Sequence, residues 1–195
     1  MVAIVDYGAG NLTSVKLAFA ALGVETVPTS DPETIARAER IVFPGVGAAG
    51  SAMANLERLG LRPALTDAIA RQVPFLGICL GMQILFDHTE EDGGVDLLGF
   101  IPGKVRRFKP QPGCKIPEMG WNQVNGGAEY YFVHSYYAEL NPFTIGRTEF
   151  AGVTFSSAVR KGSIVATQFH PEKSGRVGLE FLKRFLSWQG GEYAC

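Results

Sequence analysis

A chain of 195 residues, 46% of them hydrophobic, can bury one substantial core and is short for two, so a single domain over 1–195 is expected. A formal charge of -1, with no long basic run, excludes the electrostatic footprint of a nucleic-acid binder. The opening Met1-Val2-Ala3-Ile4-Val5-Asp6 lacks a basic leader region and no apolar run reaches spanning length, so no membrane is expected and the expected location is cytoplasmic.

Through the first half, apolar runs alternate with helical patterns. Val2 to Val5 predicts a strand, Leu12 to Leu22 a helix, and Val24 to Val27, Ile41 to Phe43 and Phe75 to Ile78 three further strands. That alternation is the rhythm of a parallel, helix-covered sheet. The first helix begins after Asn11, a good N-cap, and stops at Gly23. Gly8-Ala9-Gly10 lies between strand and helix as a dinucleotide fingerprint would, but its third glycine falls at Thr13 and the fingerprint fails. After Phe75 to Ile78, a helix is predicted to run on through Met82, Gln83, Leu85 and Phe86.

From Val95 the pieces shorten: Gly99-Phe100, Val105-Arg106, Trp121 to Val124, Tyr130 to Val133 and Val165 to Phe169, separated by Gly, Pro and Asn. Mixed or antiparallel strands are expected there. At the end, Ser174 is placed to cap a helix whose Val177, Phe181, Phe185 and Trp188 share one face, a stripe that reads as core packing. The tail from Gln189 to Cys195 is expected to be loose.

Three cysteines, Cys79, Cys114 and Cys195, are an odd number at wide spacing, which suits neither a disulfide framework nor a zinc site. Cys79 stands apart, because Gly77-Ile78-Cys79-Leu80-Gly81 joins the apolar Pro74-Phe75-Leu76 to a helical stretch. A nucleophile on so sharp a strand-to-helix turn projects from the sheet edge in a strained conformation, and glycines two residues either side relieve the crowding. The N–H of Leu80 then points at a substrate carbonyl oxygen, and the helix N-terminus favours an anionic sulfur.

A nucleophilic cysteine also needs a base and a group to orient it. Of the three histidines, His88 lies in the polar stretch Asp87 to Asp92 and reads as a solvated loop residue, which leaves His134 and His170. His170-Pro171-Glu172 follows the strand Ile164 to Phe169, so Glu172 can hold the imidazole for proton transfer. Alone, a His-Pro-Glu loop fits a capping role equally well; pairing with the cysteine elbow gives it weight. Two ligands from one short loop do not make a metal site, so no metal and no cofactor is expected.

Cys79 in G-x-C-x-G with downstream His170-x-Glu172 resembles the triad-type, or class I, glutamine amidotransferases along essentially the whole chain. More closely, six segments are similar, in order, to the glutaminase subunits of imidazole glycerol phosphate synthase. They are Asp6 to Leu12, Pro44-Gly45-Val46-Gly47, Leu76 to Gln83, Met119-Gly120-Trp121-Asn122, Tyr131 to Tyr136 and His170 to Ser174. The resemblance implies an α/β fold with a mixed, largely parallel central sheet, flanking helices and flavodoxin-like architecture. It implies that Cys79, His170 and Glu172 hydrolyse glutamine through a cysteinyl thioester. The ammonia would pass to a (β/α)8-barrel cyclase in a heterodimer, giving imidazole glycerol phosphate and aminoimidazole-carboxamide ribotide in histidine biosynthesis.

By the same resemblance, Val46 and Leu80 supply the oxyanion hole, with Gly45 and Gly47 permitting the peptide between them to reorient. Glutamine is expected around Gly45, Gly47, Gln83, His134, Ser135 and Tyr136, and the cyclase against Asn11, Trp121, Tyr131 and Lys173. Ala49 replaces an aromatic common among relatives, and Glu118 stands where they usually have histidine. Two rivals stay open: a glutaminase of pyridoxal phosphate or anthranilate synthesis, and a redox protein built on the same elbow, which needs no His170–Glu172 pair.

Overall fold

The structure, a computed structural model, describes residues 1–8 and 12–193, so the expected cap and interface position Asn11 and the cysteine Cys195 lie outside the described residues. The first half contains β1 (Val2–Val5), α1 (Leu12–Ala21), β2 (Thr26–Thr29), α2 (Pro32–Ala36), β3 (Arg40–Gly45), α3 (Ala49–Arg58), α4 (Leu61–Ala70), β4 (Phe75–Cys79) and α5 (Leu80–Gln83). Shorter strands follow: β5 (His88–Thr89), β6 (Val95–Asp96), β7 (Lys104–Arg107), β8 (Glu118–Gln123), β9 (Glu129–His134) and β10 (Tyr136–Ala138). Then come β11 (Thr144–Phe150), β12 (Val153–Lys161), β13 (Ile164–Thr167) and α6 (Gly175–Ser187).

The main sheet runs β2-β1-β3-β4-β13-β12-β10-β7-β5-β6, with β11 also on β12, while β8 and β9 form a separate antiparallel ribbon. Its first five strands are parallel, and β12 turns the pairing antiparallel. This is the expected mixed α/β sheet, and its order 2-1-3-4 continues into a fifth parallel strand as in a doubly wound fold. Side chains alternate between two buried layers. Ala3, Val5, Ile41, Phe43 and Phe75 meet Leu56, Leu61 and Leu65 of α3 and α4 on one face. Val2, Ile4, Val42, Leu76 and Ile78 meet Val15, Phe19, Phe181 and Phe185 of α1 and α6 on the other. Two-sided burial is why these strands read as continuous apolar runs.

Five expectations are corrected. The second strand is Thr26–Thr29, not Val24 to Val27, because its register is dictated by β1, from Val2↔Thr26 to Val5↔Thr29. Pro28 is tolerated because β2 is the edge strand. The helix after the elbow stops at Gln83 rather than running to Phe86. Ile84, Leu85 and Phe86 are fully buried, and their carbonyls accept from Leu98, Ile101 and Gly99 instead of from a further helical turn. Gly99-Phe100 is therefore a bonded loop, not a strand. His88 belongs to the short strand β5, with Nδ1 2.9 Å from Asp96 Oδ1. Ser174 does stand at the start of α6 but does not cap it, since its hydroxyl donates to the His170 carbonyl at 2.6 Å.

The elbow glycines are required by contact rather than by positive φ. A Cβ on Gly77 would lie 2.5 Å from the Gly81 carbonyl oxygen, one on Gly45 2.7 Å from Leu80 Cβ, and one on Gly81 inside the Phe43 carbonyl oxygen. We expect Gly81→Ala to lower stability by about 3 kcal/mol or more, read as a fall in urea midpoint, because backbone rather than a flexible side chain must yield. A midpoint within error of wild type would show that α5 can lift off β3.

Candidate active site

Cys79 ends β4 with φ 56° and ψ -109°, a conformation an L residue adopts only under constraint. It lies at the carboxyl end of a parallel strand, where open α/β sheets present their ligands. β13 pairs in parallel with β4, Thr167 opposite Ile78, and the chain continues from it to His170 and Glu172. The His170 imidazole is buried, with Nδ1 2.7 Å from Glu172 Oε1. Its Nε2 is buried without a regular hydrogen bond and faces Cys79. Burial by itself lowers the imidazole pKa, but the charge and hydrogen-bonding of Cys79, then those of Glu172, outweigh it and push it up to about 10.

A cavity of about 250 Å³ opens over the sulfur, lined by Val46, Gly47, Cys79, Leu80, Gln83, Glu91, Val133, His134, Ser135 and Tyr136. That is below the roughly 300–1,000 Å³ of drug-sized sites and suits a single small metabolite. Every pocket position expected from sequence is here except Gly45, which lies beneath, packed on Leu80 and Tyr7. Gly47 takes φ 102°, a backbone conformation that favours glycine. His134 reaches the wall with Nδ1 2.7 Å from the Tyr136 carbonyl and Nε2 at ion-pair distance, 2.9 Å, from Glu118 Oε2, without a regular hydrogen bond there. Glu118 is thus the buried neighbour of a pocket histidine, held from its other oxygen by Asn122 Nδ2 at 2.7 Å.

Three contributors escaped the sequence reading. Glu91 lines the pocket and accepts from the Ala49 N–H at 2.7 Å. Burial pushes its carboxyl above the usual range, opposed by the Ala49 N–H and aided by Asp92. It was hidden in a polar run that reads as a surface loop, and its only signal is its short distance downstream of the elbow. Tyr7 stacks on Phe43 at 5.0 Å with its hydroxyl buried beside the Val46 amide. Burial and then the Cys79 charge hold that phenol well above its ordinary pKa, while the Val46 N–H acts the other way. Gln168 is buried against Cys79 and gave no signal at all.

On the outer side of the ribbon, Trp121 is 55% and Met119 66% exposed. Trp121 meets Tyr131 edge-on at 6.2 Å, and the Lys173 ammonium lies 5.9 Å from the Tyr131 ring centre. The expected interface positions Trp121, Tyr131 and Lys173 therefore form one cluster. Among the described residues, no helix is long and apolar enough to cross a membrane.

An elbow cysteine near a histidine and a carboxylate, over a small pocket on a doubly wound sheet, is the arrangement that cysteine-nucleophile enzymes of the acyl-transfer class use. The family model described as glutamine amidotransferase class-I matches residues 3–188. The chain is 47% identical to the imidazole glycerol phosphate synthase subunit HisH of Dehalococcoides mccartyi, over 98% of this chain and 99% of that one. It is 45% identical to the chloroplastic imidazole glycerol phosphate synthase hisHF of Arabidopsis thaliana, over 95% of this chain and 34% of that protein. A crystal structure of a glutamine amidotransferase shares the fold at a TM-score of 0.75 and 19% identity, over 96% and 98% of the two chains. The chain belongs to the class I glutamine amidotransferases, in the branch of the HisH glutaminase subunits of imidazole glycerol phosphate synthase.

Glu172→Gln keeps the shape behind His170 and removes the charge, so glutamine hydrolysis should fall sharply with folding retained. A histidine whose folded pKa is raised from 6.5 to about 10 contributes stability that is complete below 6.5 and lost as pH rises through 10. The stability difference between wild type and Glu172→Gln should accordingly be largest near pH 6.5 and shrink toward pH 10. Full glutaminase activity in the variant, or a difference that grows with pH, would remove Glu172 from this role.

Proposed function

We propose that Cys79 is the nucleophile that attacks the side-chain amide carbon of glutamine, with His170 carrying its proton to the departing ammonia and Glu172 orienting the imidazole. Water then attacks the thioester, His170 takes its proton, and glutamate leaves as the thiol is restored. The observation that carries this reading is the buried His170 bridging Glu172 and Cys79. Glutamine's amino-acid end lies against Gln83, Ser135 and Tyr136, and the Glu91 carboxylate, the one acid lining the cavity among the described residues, suits its ammonium group. This chain's own step is hydrolysis; ring closure belongs to the partner.

The proposed partner is a (β/α)8-barrel cyclase seated on the Met119, Trp121, Tyr131 and Lys173 surface in a cytoplasmic heterodimer. The hisHF relative, of which this chain matches only 34%, supports a second functional unit beside the glutaminase. Cys79→Ala should abolish glutamine-dependent synthesis while the complex still works with added ammonia. Loss of both activities would make Cys79 structural.

The Val46 amide, close to the Tyr7 hydroxyl, is the second oxyanion donor, and Gly47 beside it allows the intervening peptide to turn. One such donor is worth about 10² to 10³ in rate, enough to serve as a switch. Glutamine turnover should therefore rise from the free chain to the complex, and again with an acceptor analogue bound. Equal rates in all three would defeat the switch, and a gain confined to glutamine affinity would move the coupling to the binding pocket.

A further inference from the structure

We infer that Gln168 is a catalytic residue: its side-chain amide donates to the sulfur of Cys79 and holds it in the anionic form that attacks glutamine. The inference rests on Cys79 being the nucleophile. Gln168 is fully buried two residues before His170, at the end of β13. Its Nε2 lies 3.6 Å from Cys79 Sγ.

Which end of the amide meets the sulfur is settled by a chain of bonds that begins at a backbone carbonyl. The Tyr136 carbonyl can only accept, so the Gln83 side chain presents its NH₂ there, at 3.0 Å. The same Gln83 nitrogen donates its second hydrogen to Gln168 Oε1 at 2.8 Å. Gln168 must then turn its own NH₂ to Cys79. The flip that is ordinarily free for a glutamine is excluded, because it would set two donors face to face at Gln83.

The sulfur thus has neighbours of opposite preference. The Val133 carbonyl, 3.8 Å away, accepts from a thiol and repels an anion. The Gln168 N–H favours the anion, as does a protonated His170. A neutral donor does what a second cation would do without competing with His170 for the proton, and its hydrogen bond to a charged acceptor is the stronger kind. Gln83 also lines the substrate cavity, so a glutamine bound there sits one hydrogen bond from the group that fixes the sulfur.

The test is iodoacetamide alkylation of Cys79 as a function of pH in Gln168→Leu and Gln168→Met. Both variants are neutral, so they remove the donor toward sulfur without adding a charge that would itself repel the anion. Losing one charge-assisted hydrogen bond should slow alkylation at neutral pH by roughly tenfold and displace the pH profile to the alkaline side, with kcat reduced more than KM changed. A residue that merely fills space would leave the profile in place, and an unmoved profile in a folded variant overturns the inference. In the wild-type protein with ¹⁵N-labelled glutamine, one side-chain amide should follow the titration of Cys79 and cease to do so in Cys79→Ala. If none does, the inference fails whatever the variants' stability. Should Cys79→Ala itself retain glutaminase activity, the nucleophile assignment fails instead, and the two failures are distinct.

Discussion

The contact on which the site depends is the close seating of α5 on β3. With no side chain at Gly81, its backbone lies directly against the Phe43 carbonyl, and the absence of one at Gly45 lets Leu80 and Tyr7 close over that strand. Cys79 is the residue that must turn the chain between β4 and this tightly held helix, and its φ of 56° is the result. Strain of that kind costs about 1–3 kcal/mol and survives only where neighbouring packing over-determines it. The same seating sets Leu80, the first proposed oxyanion position, against the end of the strand that continues into Val46 and Gly47. The proposed nucleophile and oxyanion segment are therefore parts of one packed unit.

His170 arrives by a different route. Parallel pairing of β13 with β4 fixes how far along the sheet edge the chain emerges, and the His170 N–H then donates to the Tyr131 carbonyl at 2.9 Å. Ser174 closes the same joint, donating to the His170 carbonyl and accepting from the Tyr131 N–H at 3.0 Å. A serine that sequence places as a helix cap instead ties the triad loop to β9. In that strand Tyr130, Phe132 and His134 face the core, while Tyr131 and Val133 face outward, toward the aromatic cluster and the pocket. One strand thus links the exposed aromatic cluster, the His170 backbone and the pocket wall, so the proposed partner, pressing on Tyr131, would bear on groups that contact the sulfur.

What was legible in the sequence follows from the range over which each feature is determined. The parallel half declares itself because its strands are buried on both faces, and the elbow because nucleophile, turn and glycines are adjacent in the chain. Glu91, Gln168 and Glu118 were not legible, since each takes its role from a partner brought in by tertiary contact: the Ala49 N–H, the Cys79 sulfur and His134. The length of α5 failed for a related reason. Helical periodicity persists through Phe86, but the carbonyls that would extend the helix are taken by a loop about fifteen residues further on. Ser174 shows the converse, a local signal correct in position and wrong in partner.

Two buried histidines, each beside a glutamate, lie within this one site, and their difference is what favours His170 as the proposed base. His134 has Nδ1 2.7 Å from the Tyr136 carbonyl and Nε2 2.9 Å from Glu118 Oε2, so both of its nitrogens face oxygen atoms. His170 spends Nδ1 on Glu172 and leaves Nε2 directed at Cys79. The identity of the glutamate partner is not the discriminating feature; the nitrogen left over is. Glu118 is held in turn by Asn122, which donates to its other oxygen, and by the β8–β9 ribbon that pairs Glu118 with His134. In the proposed mechanism proton transfer therefore falls to His170, while His134 keeps a fixed position in the cavity wall.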